Sequence, residues 1–420
     1  MIDVIYQGDG GPWTVARVAQ RASETIVEYT DEHVDHRAEL APIRHLIHER
    51  ARVYAGPVPD QLPGLLADSL PDAWGRMVLR RDMRQHGIER PTALQMLTWL
   101  GQRTMGALTY RPVSSPEVPK AVLGDLDEAQ ASMLKVLAGN ADGNAVAERL
   151  VTAAGSGAGG ARPKLTVAST PDGKLVVDDG TVPPGATPWL VKFHGPDDSE
   201  YLSSVEATYL QMAALSGITT CEHTLLSGSS GTQYLAVRRF DRETVEGAQP
   251  RRIHMSTAAG LLETYPEHNQ HLSYVELVRL TQHVTGDARD VMEIVRRAVF
   301  NVVAHNRDDH ARNFAFLWTP GAGWRLAPAY DLTHSMGPRP TYLVDEPGEH
   351  YLDIAGKGAG IRRQDFHELA RPGNLKTSQI DDMIDLALST VESWAELATA
   401  NGVSEQLVRQ YAARLPALAL

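Results

Sequence analysis

The stretch that most constrains this chain runs from Val291 to Asn313. Val291, Ile294, Val295, Ala298, Val299, Val302 and Val303 recur at i, i+3, i+4 and i+7 spacing, one broad apolar stripe along a helix. A helix of that kind has to be buried against a large apolar surface. It runs straight into HNRDDHARN, 305–313, which is crowded with ionisable groups. Two short strand-like runs, FAFLW and WRLAPAYD, then pair across Pro320 to Gly323. An acidic loop set between a core helix and a hairpin is either a built site or a polar turn whose Asp and Asn side chains cap backbone groups.

The rest of the chain indicates what surrounds that loop. Its 420 residues suggest two or three domains. Residues 13–18, 24–30 and 52–56 alternate as strands do, and GLLADSLPDAWGRMVLRRDMR, 64–84, has helical spacing with a restart at Pro71-Asp72. MGALTYRP, 105–112, returns to strand, and SSPEVPK, 114–120, has linker composition. Residues 125–150 read as helix broken at Gly139-Asn140. A glycine-rich turn at 153–160 leads into two alternating runs joined by Pro171-Asp172-Gly173, an antiparallel hairpin. The strand WLVKFHG, a helix over SSVEATYLQMAALSG ending at Gly217, and the strand QYLAVRRFD complete a small β-rich lobe with one helix. The remainder, down to the amphipathic carboxy-terminal stretch, is mostly helical. The expectation is an α+β chain divided at 1–113, 121–250 and 251–420.

Charge and cysteine content narrow the function classes. Forty Lys and Arg against fifty-two Asp and Glu leave a net charge of −12, so the chain as a whole is not a basic nucleic-acid module. The single cysteine, Cys221, cannot form an intrachain disulfide, which fits a reducing compartment. The start, MIDVIYQGDGGPW, lacks the charged and apolar regions of a secretory signal, and no apolar run approaches the roughly 18 residues of a spanning helix. A cytoplasmic protein with no membrane partner is expected.

The candidate chemistry falls into three places. Asp308 and Asn313 form D-x₄-N, and Asp331 ends the next hairpin in AYDL. One Asp to accept a proton, one Asn and a second Asp to hold Mg²⁺ are what phosphoryl transfer requires, because hard oxygen ligands suit that ion. His305 and His310 leave open a metal-dependent phosphohydrolase, although the spacing is neither H-E-x-x-H nor a facial triad. Gly155, Gly157 and Gly160 form G-x-G-x-x-G. This run opens a hairpin and not a long helix, and Ala161 stands where a Walker A lysine would be. A loop lying over phosphates between antiparallel strands matches better. Lys192 interrupts an apolar strand and needs a partner there, and Glu206 lies on the next helix at about the separation of a strand-lysine and helix-glutamate pair.

In chain order (glycine loop, Lys192, Glu206, then Asp308, Asn313 and Asp331) these places resemble the HipA family of bacterial toxin serine/threonine kinases. NRDDHARNFAF with LAPAYDL is similar to that family's catalytic and metal loops, GGARPK to its glycine loop, and AVRRFDR to its adenine hinge. LPDAWGR and MGALTYRP resemble its amino-terminal subdomain. The resemblance implies a two-lobed, protein-kinase-like fold with an added amino-terminal α/β subdomain, using ATP and Mg²⁺. It implies Asp308 as catalytic base, assisted by His310 on the nucleotide side, and Asn313 and Asp331 as Mg²⁺ ligands. Lys192, paired with Glu206, would hold the ATP phosphates. Gly157, Ala158, Gly159, Gly160, Ala161 and Lys164 would cover them, and Arg238, Arg239, Phe240 and Tyr330 would surround the base. It implies further a small helix-turn-helix antitoxin as partner, operator DNA reached only through it, and an aminoacyl-tRNA synthetase as protein substrate. Two positions depart from the family pattern. Gly157 stands where the self-phosphorylated serine would be, with Ser156 beside it, and Arg312 replaces the lysine of D-x-H-x-K-N. A non-catalytic member of a repressor complex is the alternative. Arg80 to Arg84 and Arg251-Arg252 are the candidate basic patches.

Overall fold

The computed structural model describes residues 1–21, 24–55, 62–117, 122–138, 160, 162–264, 272–335 and 348–416. Ser156, Gly157, Ala158, Gly159 and Ala161 lie outside them, as does the expected helix beyond residue 138. Within the described residues the chain is mixed α/β.

Strands β1 (Ile2–Tyr6), β2 (Trp13–Arg21), β3 (Glu24–Tyr29), β4 (Ala51–Ala55) and β5 (Leu108–Arg111) form an antiparallel sheet in the order β4-β3-β2-β1-β5. Helices α1 (Asp31–His36), α2 (Gly64–Ala67), α3 (Ala73–Gln85) and α4 (Ala93–Leu100) belong to the same amino-terminal unit. The restart expected at Pro71-Asp72 is the junction between α2 and α3.

A second sheet joins β6 (Val122–Leu123), β7 (Lys164–Ser169), β8 (Leu175–Val177), β9 (Thr187–Lys192), β10 (His223–Ser227) and β11 (Gln233–Arg238) in the order β10-β11-β9-β7-β8-β6. The hairpin around Pro171-Asp172-Gly173 is present, with Gly173 at φ 83° and its N–H donating to Thr170 O at 2.9 Å. Two helices serve this sheet, where the sequence suggested one. Helix α6 (Leu202–Leu215) packs on β11, while α5 (Leu126–Leu137) buries Leu126, Met133 and Val136 with Leu165, Val167 and Val191 of the sheet. The two-residue strand β6 that leads into α5 has too few positions to show a period in sequence. Trp74 and Val78 of α3 enter the same apolar cluster, so the amino-terminal unit is packed directly against this sheet.

Strands β12 (Arg242–Glu243) and β13 (Arg251–Arg252) pair, and β14 (His254–Thr257) joins β16 (Ala315–Thr319) and β17 (Gly323–Leu326). The short parallel pair β15 (Leu272–Ser273) and β18 (Leu352–Asp353) lies alongside. Around these sit α7 (Ala258–Leu262), α8 (Tyr274–Thr285), α9 (Ala288–Val303), α10 (Thr377–Val391), α11 (Trp394–Ala400) and α12 (Glu405–Ala412). The apolar stripe of α9 is buried throughout, with Val291, Ile294, Val295, Ala298 and Val303 fully enclosed. Helices α8 and α10 cover it. None of the described helices is long and apolar enough to cross a membrane.

One expected basic patch is not a free surface. Arg252 is buried, donating to Gln102 O at 2.5 Å and Gly180 O at 2.9 Å, and Arg251 pairs with Asp9 and Glu243. Strand pairing at β12–β13 turns these two arginines toward neighbouring units. Arg80 and Arg84 stay exposed on α3.

Candidate active site

The loop after α9 is shaped by backbone geometry before any side chain acts. His305 takes φ 59°, a left-handed conformation that turns the chain out of the helix, and Asn306 N–H donates back to Asn301 O at 2.8 Å. Ser335 N–H donates to His305 O at 3.0 Å and fixes the turn. The His305 ring faces Ser335 O at 3.0 Å and stacks on His334, so it serves the frame and not a shared ligand set with His310. Among the described residues no three His, Cys, Asp or Glu side chains gather to hold a metal.

The two adjacent aspartates have different jobs. Asp309 is fully buried and accepts from Tyr274 Oη at 2.7 Å and from Tyr351 N–H at 2.8 Å, with His350 Nδ1 at 2.9 Å. Asn301 Nδ2 in turn donates to Tyr274 Oη at 2.9 Å. Asp309 thus ties the loop to α8, α9 and the 350–352 segment. Asp308, one residue earlier, is half exposed, with Oδ1 at 3.8 Å from His310 Nε2. Partial burial pushes its carboxyl above the usual range; His310 opposes this, and the Asp331 charge adds to it. Asn313 ends a short turn whose N–H donates to His310 O at 2.9 Å, and its Nδ2 donates to Asp308 O at 2.8 Å. That leaves Oδ1 of Asn313 as the atom available to a cation.

Lys192 is the centre of charge. Its ammonium bonds both Glu206 on α6 and Asp331 after β17. Burial alone would lower its pKa, but the two carboxylates outweigh burial and hold it above the usual lysine value. The same pairing outweighs burial at Asp331, whose carboxyl is held well below the usual range by Lys192 and Lys164. At Glu206 burial wins, and the carboxyl is raised. Asp331 sits at φ 58°, and Ala329 is bonded in both directions to Thr219 and Cys221, which fixes the turn that presents Asp331 to the lysine.

In the antiparallel register Lys164 on β7 stands opposite Lys192 on β9, so both side chains leave one face of the sheet. Two ammoniums side by side repel unless anions accompany them. Lys164 is almost fully buried, and desolvation together with Lys192 lowers its pKa against the pull of Asp331. Gly160 sits at φ 107°, where any other residue would be strained, and a Cβ there would push the Lys164 ammonium aside. Arg162 is held by Asp198 at 3.0 Å.

These residues share one cavity. Gly160, Lys164, Lys192, His310, Asn313 and Asp331 line its charged end. Its other end is apolar, with Leu190, Val237, Phe240, Met255 and Tyr330. The Phe240 and Tyr330 rings lie 5.4 Å apart, and Tyr330 Oη donates to Arg312 O at 2.6 Å, joining the strand-end hinge to the acidic loop. Arg238 and Arg239 also line the cavity, but their guanidiniums point elsewhere. Arg238 pairs with Glu222, and Arg239 with Asp178 and Asp241. A flat apolar slot with a cationic end and carboxylate and amide oxygens can take a nucleotide and a hard divalent cation.

Asp68, Leu70, Asp72, Met105 and Thr257 line the same cavity and are not singled out by the sequence. Their segments, LPDAWGR and MGALTYRP, carry only subdomain resemblance, because nothing in residue spacing says which cavity a distant segment reaches.

Comparison with known proteins gives the family. The HipA N-terminal domain matches residues 4–111, and the HipA-like C-terminal domain matches residues 156–396. A protein of Sinorhizobium fredii named "Putative kinase Y4dM" is 24% identical over 49% of this chain and 50% of its own length. A Haemophilus influenzae protein named "Putative kinase" is 24% identical over 34% of this chain and 44% of its own length. The chain thus spans about half the length of the curated relatives it matches. A chain from the Shewanella oneidensis complex of HipA, HipB and operator DNA superposes with a TM-score of 0.71 at 16% identity, covering 99% of this chain and 96% of that one. That likeness is one of fold. With the two domain matches spanning most of its length, the chain belongs to the HipA family.

Proposed function

We propose that this chain is an ATP- and Mg²⁺-dependent serine/threonine protein kinase of two-lobed architecture, acting as the toxin of a toxin–antitoxin pair. The observation that carries the reading is Lys192 bridging Glu206 and Asp331 at the charged end of a slot that His310 and Asn313 also line. Relatives named as kinases and a family fold seen in a complex with HipB and operator DNA support it.

Each residue has a role consistent with its surroundings. Lys192, kept charged by two carboxylates, neutralises ATP phosphate oxygens, and buried Lys164 beside it extends the cationic surface. Phe240, Tyr330 and the hinge backbone hold the base. Oxygen donors on Asp331 and Asn313 fit Mg²⁺, which when bound neutralises charge between the phosphates. Asp308, half exposed next to His310 of the slot lining and with a raised carboxyl pKa, takes the proton of the attacking hydroxyl, and His310 steadies the carboxylate. Asp309 holds the loop in place and takes no part in proton transfer.

The partner reading is a small helix-turn-helix antitoxin that brings the chain to operator DNA, and the substrate class is an aminoacyl-tRNA synthetase. The test is phosphoproteomics after expression of wild type and Asp308→Asn. A translation protein phosphorylated on Ser or Thr only by wild type is expected. No difference between the two would refute the kinase reading.

A further inference from the structure

We propose that the amino-terminal unit forms a working wall of the nucleotide slot, with Met105 closing its base end and Asp72 setting the charge at its phosphate end. This rests on the nucleotide-binding reading above and assigns part of that site to residues outside 156–396.

The wall is built from two fixed segments. The first is the loop 102–106, locked to the hinge by buried charge. Arg242 donates to Thr104 O and Gly106 O at 3.0 Å, and Arg239 donates to Thr104 O at 3.3 Å. Gly106 N–H donates to Asp241 Oδ2 at 2.7 Å. Asp241 is itself held by Arg239 and Arg242. A Cβ on Gly106 would press on the Met255 backbone nitrogen at 3.0 Å. Met105 therefore sits directly beside the hinge after β11, where the apolar end of the slot lies.

The second segment is the start of α3. Trp74 is 2% exposed and packs with Val78 among Leu165, Val167, Val191 and Phe193 of the second sheet, which anchors the two preceding residues against β7 and β9. Asp72, the residue before α3, lines the slot, and its negative charge acts on Lys164. It makes no side-chain bond to cap the helix, and its Oδ1 is buried with no hydrogen-bond partner among the described residues. A carboxylate oxygen left unpaired next to a buried lysine is costly as mere structure. As part of a phosphate-binding end it has a purpose, because a fixed negative charge beside Lys164 offsets part of the cationic surface and repels excess anionic charge.

The two contacts make separable predictions. Equilibrium binding of adenosine, ADP and Mg·ATP to the full chain, by calorimetry, reads them apart. Met105→Ala should weaken all three ligands by a common factor of about five, and Met105→Leu should restore them. Asp72→Asn should leave adenosine within about twofold and tighten ADP and ATP by about threefold or more, since one fixed negative charge leaves the phosphate end. Unfolding curves of each variant confirm that the fold is kept. If both variants bind every ligand as wild type does while Lys192→Ala loses ATP, the wall has no role and the inference falls, with the nucleotide reading intact. If wild type binds none of the three, the nucleotide reading itself fails, and the inference with it.

Discussion

Replacing Lys192 by Met tests the centre of the site through stability as well as activity. The change leaves Glu206, whose side chain is 7% exposed, without its cation. Removing one member of a buried pair costs about 3 to 5 kcal/mol, most of it the desolvation of the charge left behind. Asp331 contributes less, because its side chain is 37% exposed and water can replace the lysine, so about 1 kcal/mol or below is expected from it. A loss of about 3 kcal/mol at neutral pH corresponds to a melting point lower by roughly 3 to 4 °C if all 420 residues unfold together. The pH dependence has a definite sign. The raised carboxyl of Glu206 rises further without Lys192, so the folded variant binds a proton that the unfolded chain releases, and its stability increases as pH falls. In wild type the Lys192–Asp331 pair is constant over that range, because Asp331 titrates below the usual carboxylate range and Lys192 above the usual lysine value. Wild-type Glu206 is raised too, but less than in the variant, so the gap between variant and wild type narrows as pH falls. Denaturant unfolding of Lys192→Met, Glu206→Gln and the double variant gives the coupling, expected near about 2 kcal/mol. Additive single effects, or a gap that does not change with pH, would refute the pairing as an energetic unit.

Further outcomes follow from the site geometry, the glycine loop's sequence and the net charge. Asp308→Asn should lower phosphoryl transfer by about 100-fold or more while keeping Mg·ATP binding, measured with labelled ATP and calorimetry. Because the folded state disfavours the Asp308 charge, the same change should raise the melting point slightly, and wild-type activity should fall on acidification at a pH above the usual carboxylate pKa of about 4. Asp309→Asn should instead destabilise by about 2 to 4 kcal/mol in denaturant unfolding, since an amide cannot accept every bond the carboxylate takes from Tyr274, His350 and Tyr351. Mass spectrometry after incubation with Mg·ATP should find phosphate on Ser156, the one hydroxyl residue between Ala153 and Lys164, and an unmodified loop would remove self-inhibition through it. At −12 the isolated chain should give no gel shift with operator DNA at physiological salt, and a shift should appear once the helix-turn-helix partner is added.

Features with a period or a fixed spacing are the ones legible in this sequence. The stripe from Val291 to Val303 predicts a buried helix because seven apolar residues at that spacing would otherwise face water, and the hairpin at Pro171-Asp172-Gly173 is marked by its turn residues. Spacing also brings out Asp308 and Asn313, but it does not show that Asp309 is the buried member of the pair. That difference arises from Tyr274, 35 residues earlier, and His350, 41 residues later, which reach Asp309 only through the packing of α8 and the 350–352 segment.

Packing across units explains the other omissions. In sequence Asp68 is one more polar residue between α2 and α3. In the folded chain it accepts from Ser256 Oγ at 2.9 Å and from Thr257 N–H at 2.7 Å and Oγ1 at 2.9 Å. The backbones there approach so closely that a Cβ on Gly64 would lie 1.7 Å from Gly260 O, and one on Gly260 would lie 2.0 Å from Asp68 Oδ2. Glycine at both positions is therefore a condition of docking, not of chain flexibility. Because the close approach there turns on backbone and a single carboxylate, it leaves no hydrophobic period to read. Yet it brings Asp68, Leu70 and Asp72 into the slot beside Lys164. At that place the amino-terminal unit is held by polar and steric complementarity together with the buried apolar cluster that contains Leu65, Leu66, Ala259 and Leu261. Any substitution that enlarges Gly64 or Gly260 must disturb both the interface and the slot.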